Sequence, residues 1–186
     1  GENARIAYGI VNDLMGRILE QWDGRGDVLV VSDHGLQGTE HTRTGVLAQR
    51  GGVFDATAVR SARTYDIAPT VLHLMGLDNP AAMTGTSLIE GEIQEEGAGR
   101  SRVALFILDG WGARDEEWGN LIVEADTPVM DALQATYPTT RLEAAGSAVG
   151  LPDSVPNREG KTVGNSEVGH LHIGAGRVVP SDRYRI

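Results

Sequence analysis

The sequence contains no cysteine, which excludes disulfide scaffolds, thiolate metal sites and cysteine nucleophiles together. It has no apolar run approaching the roughly 18 residues that span a bilayer. No signal-peptide pattern opens it, so the expected location is the cytoplasm, with no membrane partner. Positive charge is scarce: 16 Lys and Arg stand against 26 Asp and Glu, a formal net charge of −10. That balance argues against a nucleic-acid partner held by general attraction. An anionic substrate must instead be held locally, by metal ions or backbone amides. No internal repeat of fixed period is present. What is there is 186 residues, 40% hydrophobic and 23% charged, with 25 glycines. At about 150 residues per domain this is enough chain for one core and hardly enough for two.

Periodicity outlines alternating helices and strands. Ile6, Ile10, Val11, Leu14, Ile18 and Trp22 recur at three- and four-residue steps and predict an amphipathic helix over 5–22, stopped by Asp23-Gly24 and Gly26. Val28 to Val31 is a continuous apolar run, as in a strand buried on both faces. Residues 45–54 read as a glycine-broken short strand and turn. A short helix is expected over 65–77, with Gly76 as its stop. Residues 89–101 lose periodicity and gain glutamate and glycine, a linker composition. Beyond it the pattern predicts a strand at 103–110, a helix at 127–135 capped by Thr127, and a strand at 139–146. A proline- and glycine-rich loop over 150–163 follows, then a helix opening near Ser166. This alternation predicts an α/β fold, with a mostly parallel sheet and helices on both faces.

Three polar clusters follow apolar strands or open helices: Ser32-Asp33-His34-Gly35 with His41 seven residues on, Asp109-Gly110-Trp111-Gly112, and Gly164-Asn165-Ser166-Glu167 running to His170. Ligands of open parallel sheets gather at the carboxyl ends of strands, where Asp33 and Asp109 fall. Carboxylates with imidazoles suit a divalent metal, and a serine at a helix start faces free amides that suit a phosphate. Each cluster also has a plain structural reading: a solvated turn for Asp33-His34, a turn former at Asp109, a helix cap at Ser166, and a surface histidine at His41. His73 reads as a packing residue of its helix, and His170 and His172 as structural or supporting side chains.

The segments VALFILDGWG, GN at 119–120, TP at 127–128, TYPTTRLEAAGSAVGLPD and VGNSEVGHLHIGAGRVV resemble the start of cofactor-independent phosphoglycerate mutases, over residues 102–186. The first half, with VLVVSDHG, DIAPTVLHLMGL and MTGTSLIEG, resembles the C-terminal part of the alkaline phosphatase superfamily, to which those mutases belong. The interval from His34 to His41 looks more like the phosphodiesterase branch. The order is inverted. The resemblance therefore implies an alkaline phosphatase-like domain that is incomplete or permuted: a C-terminal-type half over 1–88, a linker over 89–101 and an N-terminal-type half over 102–186. The family's inserted phosphotransferase domain is absent. A circular permutant and the junction of a tandem fusion both fit this order.

Residue by residue, the resemblance implies one metal site at Asp109, Ser166, Asp33 and His34, with Ser166 as the phosphoryl-accepting nucleophile and Asn165 binding phosphate. His41 would serve a second ion, whose Asp and His from an upstream motif are missing. The implied cofactor is manganese, normally two ions, with zinc or magnesium as alternatives, and the implied substrate a phosphorylated small molecule. The implied reaction is the interconversion of 3- and 2-phosphoglycerate through a phosphoserine, as in glycolysis, this chain being a fragment of such an enzyme. Alternatives are a metal-dependent phosphatase or phosphodiesterase, and a silent metal- or phosphate-binding domain. Self-association through the incomplete halves is a further expectation.

Overall fold

The computed structural model describes residues 1–51, 62–89, 102–154 and 160–181. Most of the expected linker, the end of the 45–54 segment and part of the 150–163 loop lie outside them. The described chain forms helix α1 (Glu2–Trp22), strands β1 (Asp27–Ser32), β2 (Gly35–Gln37), β3 (Glu40–Thr42), β4 (Thr44–Arg50) and β5 (Ala62–Arg63), and helix α2 (Ile67–Leu74) after a 3-10 turn at Thr64–Asp66. After the linker come β6 (Val103–Ile107), α3 (Pro128–Thr136), β7 (Thr139–Glu143), a 3-10 turn at Gly146–Val149 and α4 (Ser166–Ala175).

Five strands make one sheet in the order β5-β7-β4-β1-β6, and β2 and β3 form a separate hairpin. The pairs β1–β6 and β5–β7 are parallel, while β4 runs antiparallel to both β1 and β7. Four strands thus share one direction and β4 alone opposes them, which is the expected α/β, mostly parallel sheet. Strands from the two sides of the linker are interleaved within it, β7 lying between β5 and β4 and β6 beside β1.

Side-chain alternation on β1 feeds two cores. Val28 and Val30 join Met15 and Leu19 of α1, Met130 and Leu133 of α3, and Trp111 on one face. Leu29 and Val31 join Ile67 and Leu74 of α2, Leu142 and Ile173 of α4 on the other. Helices therefore cover both faces, and β1 is buried along its whole length, as its unbroken apolar run requires.

Several local expectations need correction. The predicted first helix exists, but Ile6, Ile10, Val11, Leu14 and Ile18 are its exposed side; Met15 and Leu19, with the polar Asn12, are its buried residues. The helix carries two apolar flanks, and the sheet covers one. Residues 45–50 are a full strand, because Gly45 permits close approach rather than a break: a Cβ there would lie 2.0 Å from the Ser32 carbonyl oxygen. Thr127 occupies the cap position of α3 without a capping bond, its hydroxyl donating instead to Asp131 Oδ1 at 3.2 Å. The amides it leaves are met from another helix: Asn12 Oδ1 accepts from Val129 N and Met130 N at 3.0 and 3.1 Å. Gly76 does stop α2, in the left-handed region at φ 65°.

Candidate metal centre

The site lies where β1 and β6, parallel neighbours, both deliver a polar residue from their carboxyl ends. Asp33 follows β1 and Asp109 follows β6. Asp109 is held by what succeeds it. Gly110 and Gly112 take positive φ (75° and 64°), which a side chain would strain, and between them Trp111 turns into the core edge-on to Tyr8. Ser32 links the two strand ends, accepting from Gly112 N at 2.9 Å and donating to the His34 carbonyl at 2.7 Å.

His34 is buried, and its Nδ1 lies 3.2 Å from the Gly35 carbonyl. A carbonyl can only accept, so Nδ1 is the nitrogen that donates to it, and this turns Nε2 to the site. Nε2 is 3.1 Å from Asp109 Oδ1, 3.3 Å from Ser166 Oγ and 3.7 Å from Asp33 Oδ2. Ser166 is the first residue of α4, and the helix cap is its neighbour: Asn165 Oδ1 accepts from Val168 N at 3.0 Å. The serine hydroxyl is thereby released from capping and donates to Asp109 Oδ1 at 2.9 Å. One turn on, His170 Nδ1 donates to the Ser166 carbonyl at 2.8 Å and sits 3.4 Å from Asp33 Oδ2.

Asp33 is the anomaly. It is fully buried, and neither carboxylate oxygen has a hydrogen-bond partner, a costly state for an ion. Burial pushes its carboxyl above the usual range; His34 and His170 oppose that rise, and Asp109 adds to it. The chain makes room for it: a Cβ on Gly169 would lie 1.9 Å from Oδ2. Ligand atoms of Asp33, His34 and Asp109 all fall within 4.8 Å of one another. Two carboxylates and an imidazole nitrogen, one carboxylate buried without a donor, fit a divalent cation.

The structure thus brings Asp33, His34, Asp109 and Ser166 together from three separate places in the sequence. His41, on the β2–β3 hairpin, meets the His34 ring edge-on with centroids 4.5 Å apart but is not a member of that ligand cluster. His73 bonds Ser87 Oγ at 2.8 Å, away from the site. His172 is structural: its Nδ1 donates to the Val168 carbonyl at 2.6 Å and its Nε2 accepts from Val179 N at 3.0 Å. Sequence reasoning gave no role to Gly169 or Ser32, since a glycine's clearance and a serine's bridge depend on distant partners.

The Metalloenzyme superfamily model matches residues 101–185. Among curated proteins, the chain is 56% identical over 86 residues to a 2,3-bisphosphoglycerate-independent phosphoglycerate mutase of Trichodesmium erythraeum, covering 46% of this chain and 15% of that protein. It is 49% identical over 107 residues to the protein of the same name from Prochlorococcus marinus, covering 58% of this chain and 17% of that protein. The Nostoc punctiforme protein of that name is 57% identical over 84 residues, 45% of this chain and 14% of that protein. The chain thus spans about a sixth of the length of these relatives. No solved structure matches, and among the described residues no helix is long and apolar enough to cross a membrane. Residues 101–185 match the Metalloenzyme superfamily model and are similar in sequence to 2,3-bisphosphoglycerate-independent phosphoglycerate mutases, and Asp109 from this segment joins Asp33 and His34 from the first half in a cluster whose donors imply a divalent metal.

Proposed function

We propose that this chain carries the phosphoryl-transfer centre of a phosphoglycerate mutase-type isomerase, with Ser166 as nucleophile. The observation that carries the reading is the position of Ser166 Oγ: at a helix start, 2.9 Å from Asp109 and 3.3 Å from His34 Nε2, beside a buried carboxylate without a donor. The Ser166 oxygen attacks phosphorus of a phosphomonoester. The Oγ–P bond forms as the bond from phosphorus to the glycerate oxygen breaks, and that oxygen leaves with the electron pair. The Oγ proton passes to Asp109 Oδ1, to which it is already donated. Reversal onto the neighbouring glycerate hydroxyl completes the isomerisation. Asn165, with its carbonyl oxygen committed to Val168 N, keeps its amide N–H groups for phosphate oxygens.

Asp33, His34, Asp109 and Ser166 are the residues that hold the cation, manganese by the family resemblance. When bound it supplies the positive charge that makes the serine hydroxyl acidic and neutralises the phosphoryl oxygens. His41 is the residue available to a second ion. The substrate is a phosphorylated hydroxy acid and the setting cytoplasmic glycolysis. The short interval from His34 to His41, which resembles the phosphodiesterase branch, supports as a second reading hydrolysis of simpler phosphate esters by the same serine.

Manganese titration of the chain by calorimetry, followed by assays on 3-phosphoglycerate and on an aryl phosphate, tests this. The expected result is stoichiometric binding, with turnover that Ser166→Ala lowers at least a hundredfold. Turnover of the aryl ester alone selects the second reading. Absence of binding for manganese, zinc and magnesium overturns both.

A further inference from the structure

Helix α4 turns one face to the metal centre. Ser166, Gly169 and His170 stand at i, i+3 and i+4, the spacing that shares a helix face, and each meets the centre. Ser166 Oγ reaches Asp109 and His34, and Gly169 clears the place of Asp33 Oδ2. His170 Nδ1 lies 3.4 Å from that same oxygen. His34 Nε2, at 3.7 Å, is the other ring nitrogen near it, but His34 belongs to the cluster of ligand atoms and His170 does not. His172, two residues on, makes the same bond to a carbonyl one turn back, and shows a structural histidine on this helix: it is fully buried, and its other nitrogen accepts from Val179 N. His170 differs on both counts. Its side chain is 42% exposed, and the nitrogen that bonds the Ser166 carbonyl is the one beside Asp33.

We propose that His170 is a positioning residue, whose single Nδ1–H holds the Asp33 carboxylate and the Ser166 turn in register for the cation. This role rests on the phosphoryl-transfer reading of the cluster. The 2.8 Å bond to the Ser166 carbonyl fixes the rotation of the ring. The N–H therefore cannot swing away from Asp33 without releasing the turn that carries the nucleophile. At 3.4 Å the approach to Oδ2 is longer than a hydrogen bond. Both oxygens thus keep their lone pairs for a cation, while the N–H dipole steadies the carboxylate from behind. Groups that orient the ligands of a metal in this way typically change its affinity by about 10- to 100-fold when they are removed. Gly169 and His170 then act as a pair on Asp33, one by leaving space and one by bounding it.

Two variants separate this role from simple packing. His170→Leu removes the N–H and keeps an apolar side chain, whereas His170→Asn returns an amide N–H close to the place of Nδ1. By calorimetry, manganese binding is expected to weaken at least tenfold in His170→Leu and to return to within about threefold of the parent in His170→Asn. A purely structural histidine would move the unfolding midpoint and leave the dissociation constant where it was. A second measurement needs no metal: urea midpoints of the metal-free parent, Asp33→Asn, His170→Leu and the double variant. His170→Leu is expected to lower the midpoint more in the parent than in Asp33→Asn. A parent that binds neither manganese, zinc nor magnesium overturns the phosphoryl-transfer reading, and the metal-free cycle then decides the role of His170. Unchanged manganese affinity in His170→Leu, no recovery in His170→Asn, or equal losses in the two backgrounds overturns the proposal.

Discussion

At the scale of single residues, Asp33 and Gly169 form one device. A carboxylate without a hydrogen-bond donor is held in place by the absence of a side chain on the facing helix. Gly169 lies inside α4 with no positive φ, so alanine is compatible with its backbone and favours the helix by up to about 1 kcal/mol. The Cβ would nonetheless occupy the position of Asp33 Oδ2. Because that Cβ would also lie 2.5 Å from Asp33 Cβ and Cγ, Gly169→Ala is expected to lower the unfolding midpoint despite the helix preference, and to weaken manganese binding more than tenfold by calorimetry. A variant that binds manganese as the parent does would show that the Asp33 carboxylate can withdraw without losing its role. Asp33 itself was legible in the sequence, as an acid closing an apolar strand. Gly169 was not, because its requirement comes from a residue 136 positions away in the chain.

At the scale of elements, helix ends show where local pattern falls short. A threonine before a proline signals the start of α3, and the helix does start there, but its amides are capped by Asn12 from α1. Asn12 falls on the polar side of the apolar repeat in its own helix, and yet it is fully buried. The same repeat misidentified the buried flank of α1, because periodicity marks an apolar stripe without saying what covers it. Asn12→Leu is expected to cost about 1–3 kcal/mol, the scale for two buried amides left without an acceptor, measured by urea denaturation. At the other end of the chain, burial lowers the His172 pKa, and Arg177 lowers it further against the raising effect of the Val168 carbonyl. The unfolded chain then binds a proton near pH 6.5 that the folded chain refuses. This contribution is fully present above that pH and is lost as pH falls below it toward the folded value. Unfolding midpoints at about pH 5 and pH 7.5 should differ less in His172→Gln than in the parent chain.

At the scale of the whole molecule, the alternation of helix and apolar strand foretold the layers. Pairing order was not legible, because it depends on contacts across the linker. β1 takes β4 from its own side and β6 from the other, and β7 from beyond the linker sits between β4 and β5. Both hydrophobic cores draw on both halves, and so does the metal-site cluster. Neither half therefore keeps a closed core alone, and the covalent connection over 89–101 is expected to act mainly by holding the halves at high effective concentration. A protease site inserted there tests this. After cleavage the two pieces are expected to co-elute as one folded particle and to retain manganese binding, since the contacts that join them are those of the sheet. Thermal unfolding should become more strongly dependent on protein concentration than in the intact chain, with a lower midpoint at micromolar chain, because the cut fragments regain translational freedom when they separate. Two pieces that part without denaturant, or one that melts cooperatively by itself, would show that the halves are separate domains.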